Sequence, residues 1–505
     1  MGESRRLADL FPATFASAPV AQAPAQMSAD LAQLTVAGIS ADSRKIAPGY
    51  VFAALQGSGS DGADYLDAAK ANGAVAVLAD RDLSARTDLP MIRVDNARHA
   101  LALAARSFFP RQPEIVVAIT GTNGKSSTVD YCRQIWTHLG LRAASLGTLG
   151  AVGPEGVIDL GHTTPDPVAI HTTLQRLADQ NVTHAAMEAS SHGLDQSRLD
   201  GVTLAAVGFT NLTQDHLDYH ANMAEYRRAK LRLFTQLAKP GIPAIINADS
   251  PERDAFLDAA RQSGLDIVDC GWRAEKLKIG EMMPRQSGQR LFLRWDGREY
   301  ACELPLIGEF QALNAVCAAA FVLALNARNR AFAAADVFGA MERLRGVRGR
   351  LEEIGLTATG ASVFVDYAHT PDGLEVLLRA ARPHAAGRVI VVFGCGGDRD
   401  AGKRPKMGAI AQKFADLVIV TDDNPRSEDP ALIRQAIRAA ASGSHEIGSR
   451  HDAIAFALSQ ARAGDVVLVA GKGHETGQIV AGIVHPFSDH QVITEFLLNA
   501  GGHLV

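Results

Sequence analysis

The sequence has no run of lysine and arginine long enough to form a basic stripe, and its 50 Lys+Arg against 55 Asp+Glu leave a formal net charge of −5. Neutralising a nucleic-acid backbone takes clustered cations, so nucleic acid is excluded as the main partner. Cysteine is scarce: Cys132, Cys270, Cys302, Cys317 and Cys395 make an odd number without CxxC spacing. They read as buried thiols of a reducing cytoplasm, not as a disulfide framework or a zinc site. An uninterrupted apolar stretch of about 18 residues is missing, so no membrane span is expected. Near the start, Arg5 and Arg6 are followed by Asp9, Pro12, Pro19 and Gln22, which break up any signal-peptide core. No internal repeat of about 20–50 residues is found.

What is present is the balance of a soluble globular protein, 47% hydrophobic and 21% charged over 505 residues. At roughly 150 residues per domain, that length suggests about three domains. Residues 12–33, rich in Ala, Pro and Gln, extend a loose leader (1–33), with folding expected to begin near Leu34. A small α/β block to residue 97 follows, with strands at 51–57 and 75–79 flanking a small-residue loop (57–62) and a helix (67–74). A second block, 98–346, opens with the strand EIVVAIT (114–120) and continues through strands at 184–190, 205–211 and 244–250 to an Ala-rich helix near 311–326. GVRGR (346–350) is a glycine-punctuated joint. The third block, 347–505, alternates helices with strands at 362–367, 388–394, 416–422 and 465–471, the rhythm of a parallel, doubly wound sheet. Ligands bind beyond the carboxyl ends of such strands. Those ends carry Asp366 and His369, then 396–399, 423–426 and 472–475.

The strongest chemical signal is AITGTNGKSST (118–128), an apolar strand running into a glycine-rich turn and a helix. Backbone N–H groups of such a turn cradle phosphates, Lys125 reaches the terminal ones, and Ser126 can ligate Mg²⁺. The spacing departs from GxxxxGK[ST], since the leading glycine is Gly121 and position 119 is Ile. It reads as an ATP or GTP site. Glu188 ends the apolar strand of HAAMEASSHG (184–193) and would hold Mg²⁺ beside that loop, though alone it would be a solvated strand end. NLTQDHLDYH (211–220) concentrates Asp215, His216, Asp218 and His220. The cluster reads either as a metal or phosphate shell or as caps and turns. Lys230 falls on the stripe of Met223, Tyr226, Leu233 and Leu237. There it either snorkels to solvent or, desolvated, becomes an amine able to capture CO₂ as a carbamate, an anionic Mg²⁺ ligand. FGCGGDRD (393–400) is only a partial dinucleotide fingerprint, and GKGHE (471–475) only looks like a second phosphate loop. In DNPR (423–426) a proline-stiffened turn presents Arg426, whose planar fork matches a carboxylate; the alternative is an exposed capping turn.

Together with ADSRKIAPG (41–49), HTTPD (162–166), MEASSHGLDQSR (187–198), YRRAKLRLF (226–234) and VDYAHTPD (365–372), these strings resemble the Mur ligase family of ATP-dependent amino-acid-adding enzymes over about residues 34–505. The DNPR string is similar to the signature of members that add meso-diaminopimelate rather than lysine to the peptidoglycan stem. The resemblance implies an α/β protein of three domains: a small UDP-binding domain, a central P-loop-type ATPase and a C-terminal Rossmann-like domain. It assigns Ser43, Ser58, Gly59, Ser60, Thr163, Thr164, Ser190, Gln196 and Arg198 to the UDP-muramoyl dipeptide. ATP falls to Gly121, Thr122, Asn123, Gly124, Lys125, Ser126 and Ser127, with Asn314, Arg350 and Asp366. Catalysis is implied for Lys125, Lys230, Glu188 and His216, and Mg²⁺ binding for Ser126, Glu188, His216 and Lys230 as its carbamate. Diaminopimelate falls to Arg399, Asp423, Asn424, Pro425, Arg426, Gly471 and Glu475. Gln311 and His162 stand where the family usually has Asn. A cytoplasmic monomer with small-molecule substrates is expected. A lysine-adding member, a relative of folylpolyglutamate synthase and an ATP-dependent switch are the rival readings.

Overall fold

The β-branched and alanine-rich runs suit strands of a parallel sheet, which are buried on both faces. In the computed structural model, which describes residues 4–11, 29–57, 59–213, 219–329 and 331–505, the chain forms two compact units. The first comprises Met1–Lys125, Gly140–Ile246 and Ser250–Val268; the second comprises Ser126–Leu139, Asn247–Asp249 and Asp269–Val505.

The first unit begins with a parallel sheet ordered Gly38–Ser40, Tyr50–Ala53, Ala74–Ala79, Met91–Arg93. Val51, Ala53, Ala76 and Leu78 enter one core, while Phe52, Ala54, Val77 and Ala79 enter another, the two-residue period of a strand. The loose leader needs correction at its start. Arg5–Arg6 pairs antiparallel with Thr35–Val36, and Leu7–Leu10 forms a helical turn that buries Leu7, Leu10 and Phe11 in the first of these cores. Apolar residues spaced by three and four give this short segment one face worth burying. Ala29–Gln33 is also helical, and residues 12–28 lie outside the described ones.

A larger sheet in the same unit places Ile115–Thr120 between His184–Glu188 and Ala206–Phe209, all parallel. Ala143–Gly147 and Pro243–Asn247 flank these, again parallel, and a hairpin of Gly150–Gly153 and Gly156–Ile158 extends one edge. Phe209 stacks on Phe256 at 3.5 Å beneath this sheet.

The second unit contains an antiparallel meander, Leu277–Arg285, Gly288–Trp295 and Arg298–Leu304, which the sequence reading passed over. The helix Glu309–Asn329 amends the expectation about membrane spans. Its stretch Glu309–Ala327 is long and apolar enough to cross a membrane, but 72% of it is buried inside the protein. The last sheet runs His445–Glu446, Leu417–Val420, Val389–Phe393, Val466–Ala470, Ser362–Asp366 in parallel, then Glu352–Leu356 and His503–Leu504 antiparallel. Alternate residues of its central strands feed two cores, one holding Val391 and Leu468, the other Val392 and Val469. The carboxyl ends of its parallel strands therefore open on one edge. All five cysteines are free and buried, as expected.

Candidate active site

The strand Ile115–Thr120 ends in a turn whose first residue must be glycine: Gly121 has φ +153°, and a Cβ there would run into Thr210 Oγ1 and the Asn211 backbone. The neighbouring strand end pins this turn. Thr122 N–H donates to Asn211 O at 2.8 Å, Asn123 N–H to Asn211 Oδ1 at 2.9 Å, and Thr210 Oγ1 to Asn123 O at 2.6 Å. Asn211 thus braces the loop from the neighbouring strand end. Lys125 Nζ donates to Gly121 O at 2.9 Å and Thr122 O at 2.8 Å. Ser126 and Ser127 follow in the helix Lys125–His138.

Lys230 is on the inward face, 1% exposed, and its ammonium donates to the same Gly121 oxygen at 2.7 Å. It lies 4.5 Å from the centre of the Tyr226 ring, and Tyr226 Oη meets Thr122 Oγ1 at 3.1 Å. Snorkelling to solvent is thereby ruled out for Lys230. Glu188, level with Ile119 in the sheet and 2% exposed, accepts the Thr148 N–H at 2.8 Å. The carboxylate of Glu188, the hydroxyl of Ser126 and a Lys230 carbamate are hard oxygen donors of the kind Mg²⁺ takes. Among the described residues, no three His, Cys, Asp or Glu side chains group to hold a metal; Asp215, His216 and Asp218 lie outside them.

Thr164 Oγ1 donates to Glu188 O at 2.9 Å and accepts Ser190 N–H at 3.1 Å, while Thr163 Oγ1 meets Thr148 Oγ1 at 3.0 Å. Ser190 caps the helix Ser191–Asp195 through Gly193 N–H. Arg198 donates to Thr164 O at 2.6 Å and to Gln196 Oε1 at 2.8 Å, and burial lowers its guanidinium from the ordinary value. Five of the residues implied for the dipeptide substrate therefore gather around the end of one strand. Ser43 lies in the turn Ser43–Lys45, whose Lys45 reaches Asp166 at 4.0 Å beside Thr164. Gly59 and Ser60 are exposed, His162 is exposed, and Ser58 is outside the described residues.

In the second unit, Gln311 explains its departure from Asn. Its amide donates to Arg350 O at 2.7 Å and its oxygen accepts from Asn314 at 3.3 Å, joining two of the residues implied for ATP. Arg350 lies over the Tyr367 ring at 4.9 Å. Asp366 accepts Leu351 N–H and Ala368 N–H, both at 2.7 Å, and burial pushes its carboxyl up from the ordinary value.

Three parallel strand ends, after Val389–Phe393, Leu417–Val420 and Val466–Ala470, supply the other pocket. Arg426 has the left-handed φ of +54°, fixed by Arg426 N–H to Ile479 O at 3.0 Å and Ala481 N–H to Arg426 O at 2.6 Å. Its Nη1 donates to Gly397 O at 2.7 Å, and a Cβ on Gly396 would press within 2.7 Å of that nitrogen. Asn424 donates to Glu475 at 3.0 Å, and the Asp423 carbonyl accepts Gln478 at 2.7 Å. Gly471 backs onto the Asp423 carboxylate, Pro425 is buried, and Arg399 stands exposed on the turn after Gly397. Lys472, fully buried, was seen in the sequence but given no role; it donates to Asn424 at 3.1 Å and Glu475 at 3.2 Å. Arg450 was missed altogether. It is 2% exposed and forks onto Asp489 at 2.7 Å through both Nε and Nη2.

The chain matches the family descriptions "Mur ligase family, catalytic domain" over residues 35–109, "Mur ligase middle domain" over 119–322 and "Mur ligase, glutamate ligase domain" over 349–473. It is similar to the UDP-N-acetylmuramoyl-L-alanyl-D-glutamate--2,6-diaminopimelate ligase of Caulobacter vibrioides, 49% identical over 96% of this chain and 97% of that one. The protein of the same name from Mesorhizobium japonicum is 50% identical over 92% of this chain and 95% of its own. A solved structure of a ligase with that name superposes with a TM-score of 0.73 at 31% identity, covering 98% of this chain and 99% of the other.

Proposed function

The chain belongs to the Mur ligase family, and on that footing we propose that it is the ATP-dependent ligase that adds meso-2,6-diaminopimelate to UDP-N-acetylmuramoyl-L-alanyl-D-glutamate in peptidoglycan precursor synthesis. Joining a carboxylate to an amine in water is uphill, so the D-glutamate γ-carboxylate is activated first. It attacks the γ-phosphorus of ATP, giving an acyl phosphate and ADP; the diaminopimelate amine then attacks the acyl carbon and phosphate leaves.

The loop 121–127 holds the triphosphate, and Lys125 offsets the charge that builds during transfer, the main catalytic contribution in this chemistry. Ser126, Glu188, His216 and Lys230 as a carbamate would hold Mg²⁺, which when bound would supply positive charge against the phosphates. Two ammonium groups on the Gly121 oxygen support the carbamate: CO₂ capture by Lys230 turns the like charge beside Lys125 into an opposite one. Thr163, Thr164, Ser190, Gln196 and Arg198, with Ser43 and the loop 58–60, orient the dipeptide substrate. Asn314, Arg350 and Asp366 complete the nucleotide contacts. Blocks 1–97, 98–346 and 347–505 take UDP, ATP and amino acid respectively, in a cytoplasmic monomer.

The observation that carries the amino-acid choice is the pocket of Arg426, Asp423, Asn424 and Glu475. Lysine and diaminopimelate differ by one carboxylate, which the Arg426 fork pairs with and which a lysine ammonium would replace by a like charge. Phosphate release with Mg-ATP and the UDP-dipeptide tests the whole reading. Release with meso-diaminopimelate and a tripeptide product is expected; release with L-lysine instead would keep the ligase and discard the specificity.

A further inference from the structure

Asp200 ties together four segments of the first unit. It is 1% exposed, and its carboxylate takes both Arg232 nitrogens, Nη1 on Oδ1 at 2.7 Å and Nη2 on Oδ2 at 2.6 Å. His99 Nδ1 lies 2.5 Å from the same Oδ2, and His171 Nε2 lies 3.2 Å from the Asp200 carbonyl. Arg232 Nη1 also donates to Leu194 O at 2.8 Å. Burial pushes the Asp200 carboxyl up, and His99 and Arg232 outweigh it, holding the group below the usual carboxylate range. Arg106 packs alongside, donating to Gly201 O and to Thr203 Oγ1 at 2.8 Å. Outside the pair is a cavity of about 410 Å³ walled in part by Asn96, His99 and Lys239.

The geometry relates this cluster to Lys230. Arg232 follows Lys230 by two positions in the helix Met223–Arg232, so the two side chains leave the axis about 200° apart. One is fastened to the Gly121 carbonyl, the other to Asp200, and the helix is held from opposite sides. Immediately after Arg232 the backbone changes to a π-turn, Leu233–Leu237, so the regular hydrogen-bond ladder stops where the fork begins. On the other side, Asp200 closes the segment that carries Gln196 and Arg198, with Asp200 N–H on Ser197 O at 3.2 Å. Buried ion pairs add little net stability over apolar pairs of similar volume, but a bidentate fork fixes direction and distance.

We propose that Asp200 and Arg232 are positioning residues of the ligase: their fork sets the rotation of the Lys230 helix against the segment holding Gln196 and Arg198. This rests on the ligase reading and adds two residues to it that act through Lys230. The test is the full-length Asp200→Leu/Arg232→Met double variant, which removes both charges together. Three quantities are read: thermal melting, kcat and KM for diaminopimelate-dependent phosphate release, and acetylation of Lys230 by acetic anhydride followed by peptide mass spectrometry. Expected are near-native melting, a kcat lower by about 10- to 100-fold with little change in KM for ATP, and Lys230 acetylated several-fold faster. Native kcat, or native labelling of Lys230, would overturn the proposal, because the loss would be absent or would not run through that lysine. Should the double variant fail to fold, Arg232→Lys keeps the charge and loses the fork, and the same pair of changes is expected at smaller size; native behaviour there overturns it equally. If the unaltered chain releases no phosphate with diaminopimelate, the ligase reading falls, and the labelling alone decides the positioning.

Discussion

At the glycine-rich loop proposed to hold phosphate, Lys125 and the neighbouring Lys230 end on backbone carbonyls of residues 121 and 122, whereas in the C-terminal pocket Lys472 ends on the side chains of Asn424 and Glu475. The first site is shaped by chain geometry: a glycine that no other residue can replace and N–H groups tied to a neighbouring strand. The second is shaped by side chains on three strand ends. A phosphate is common to every acid–amine ligation of this kind, so a site built from backbone suits it. The amino acid is the variable partner, and side chains can be exchanged without rebuilding the sheet. Substitutions in the loop should therefore lower kcat whatever the amino acid, and substitutions in the pocket should alter the use of one amino acid and leave ATP alone.

The largest effect expected is that of Lys125→Ala, a fall of about 10²–10³ in kcat, equal for every amino acid that turns over. A loss that depends on the amino acid would break the comparison. Next comes Lys230→Ala, with about a 10²-fold loss that short carboxylates such as acetate partly restore by standing in for the carbamate. Full activity of this variant in bicarbonate-free buffer would return Lys230 to a packing role. Arg426→Ala should cost about 10- to 100-fold in kcat/KM for diaminopimelate, the scale of a charged hydrogen bond of about 1.5–3 kcal/mol, with KM for ATP unchanged. Equal turnover of lysine and diaminopimelate by the unaltered protein would sink the role of that fork.

Parts of both sites were legible because they are local. Lys230 sits on the stripe of Tyr226 and Leu233 by helical period alone, and it is indeed buried with them. The strands around the phosphate loop and at the C-terminal strand ends announced themselves as short apolar runs. The meander 277–304 did not, since its strands alternate buried Ile279, Leu291 and Cys302 with half-buried or exposed residues such as Lys278, Arg290 and Glu303, and pair chiefly with one another. Pairs formed by topology were invisible. Asp200 finds His99 at 101 positions' distance and Arg232 at 32, and Arg450 finds Asp489 at 39, with no period to mark them. Gln311 looked like a departure until its bonds to Arg350 and Asn314 gave it work as a brace. Leu7, Leu10 and Phe11 did carry a helical spacing, overshadowed by the Ala- and Pro-rich stretch that follows.

The smallest effect separates the two units by sign. Asp200, in the first, is held below the ordinary carboxylate value because His99 and Arg232 outweigh its burial; Asp366, in the second, is raised because burial outweighs Arg350 and its N–H donors. A depressed carboxyl contributes stability that is complete above the unfolded value of about 3.9 and is lost as pH falls through that value toward the folded one. A raised carboxyl does the reverse: its contribution is complete below about 3.9 and declines as pH rises toward the folded value. Each slope is at most about 1.4 kcal/mol per pH unit. Trp136, Trp272 and Trp295 all belong to the second unit, so denaturant unfolding followed by tryptophan fluorescence reports Asp366. Hydrogen exchange of peptides covering residues 191–205 reports Asp200. Subtracting an Asp200→Asn profile from the native one should leave a difference that shrinks as pH falls below about 3.9, and subtracting Asp366→Asn should leave one that shrinks as pH rises above it. Differences running the same way in both units would mean that His99 and Arg232 do not outweigh burial at Asp200, and the fork would lose the ionic character on which its directional hold depends.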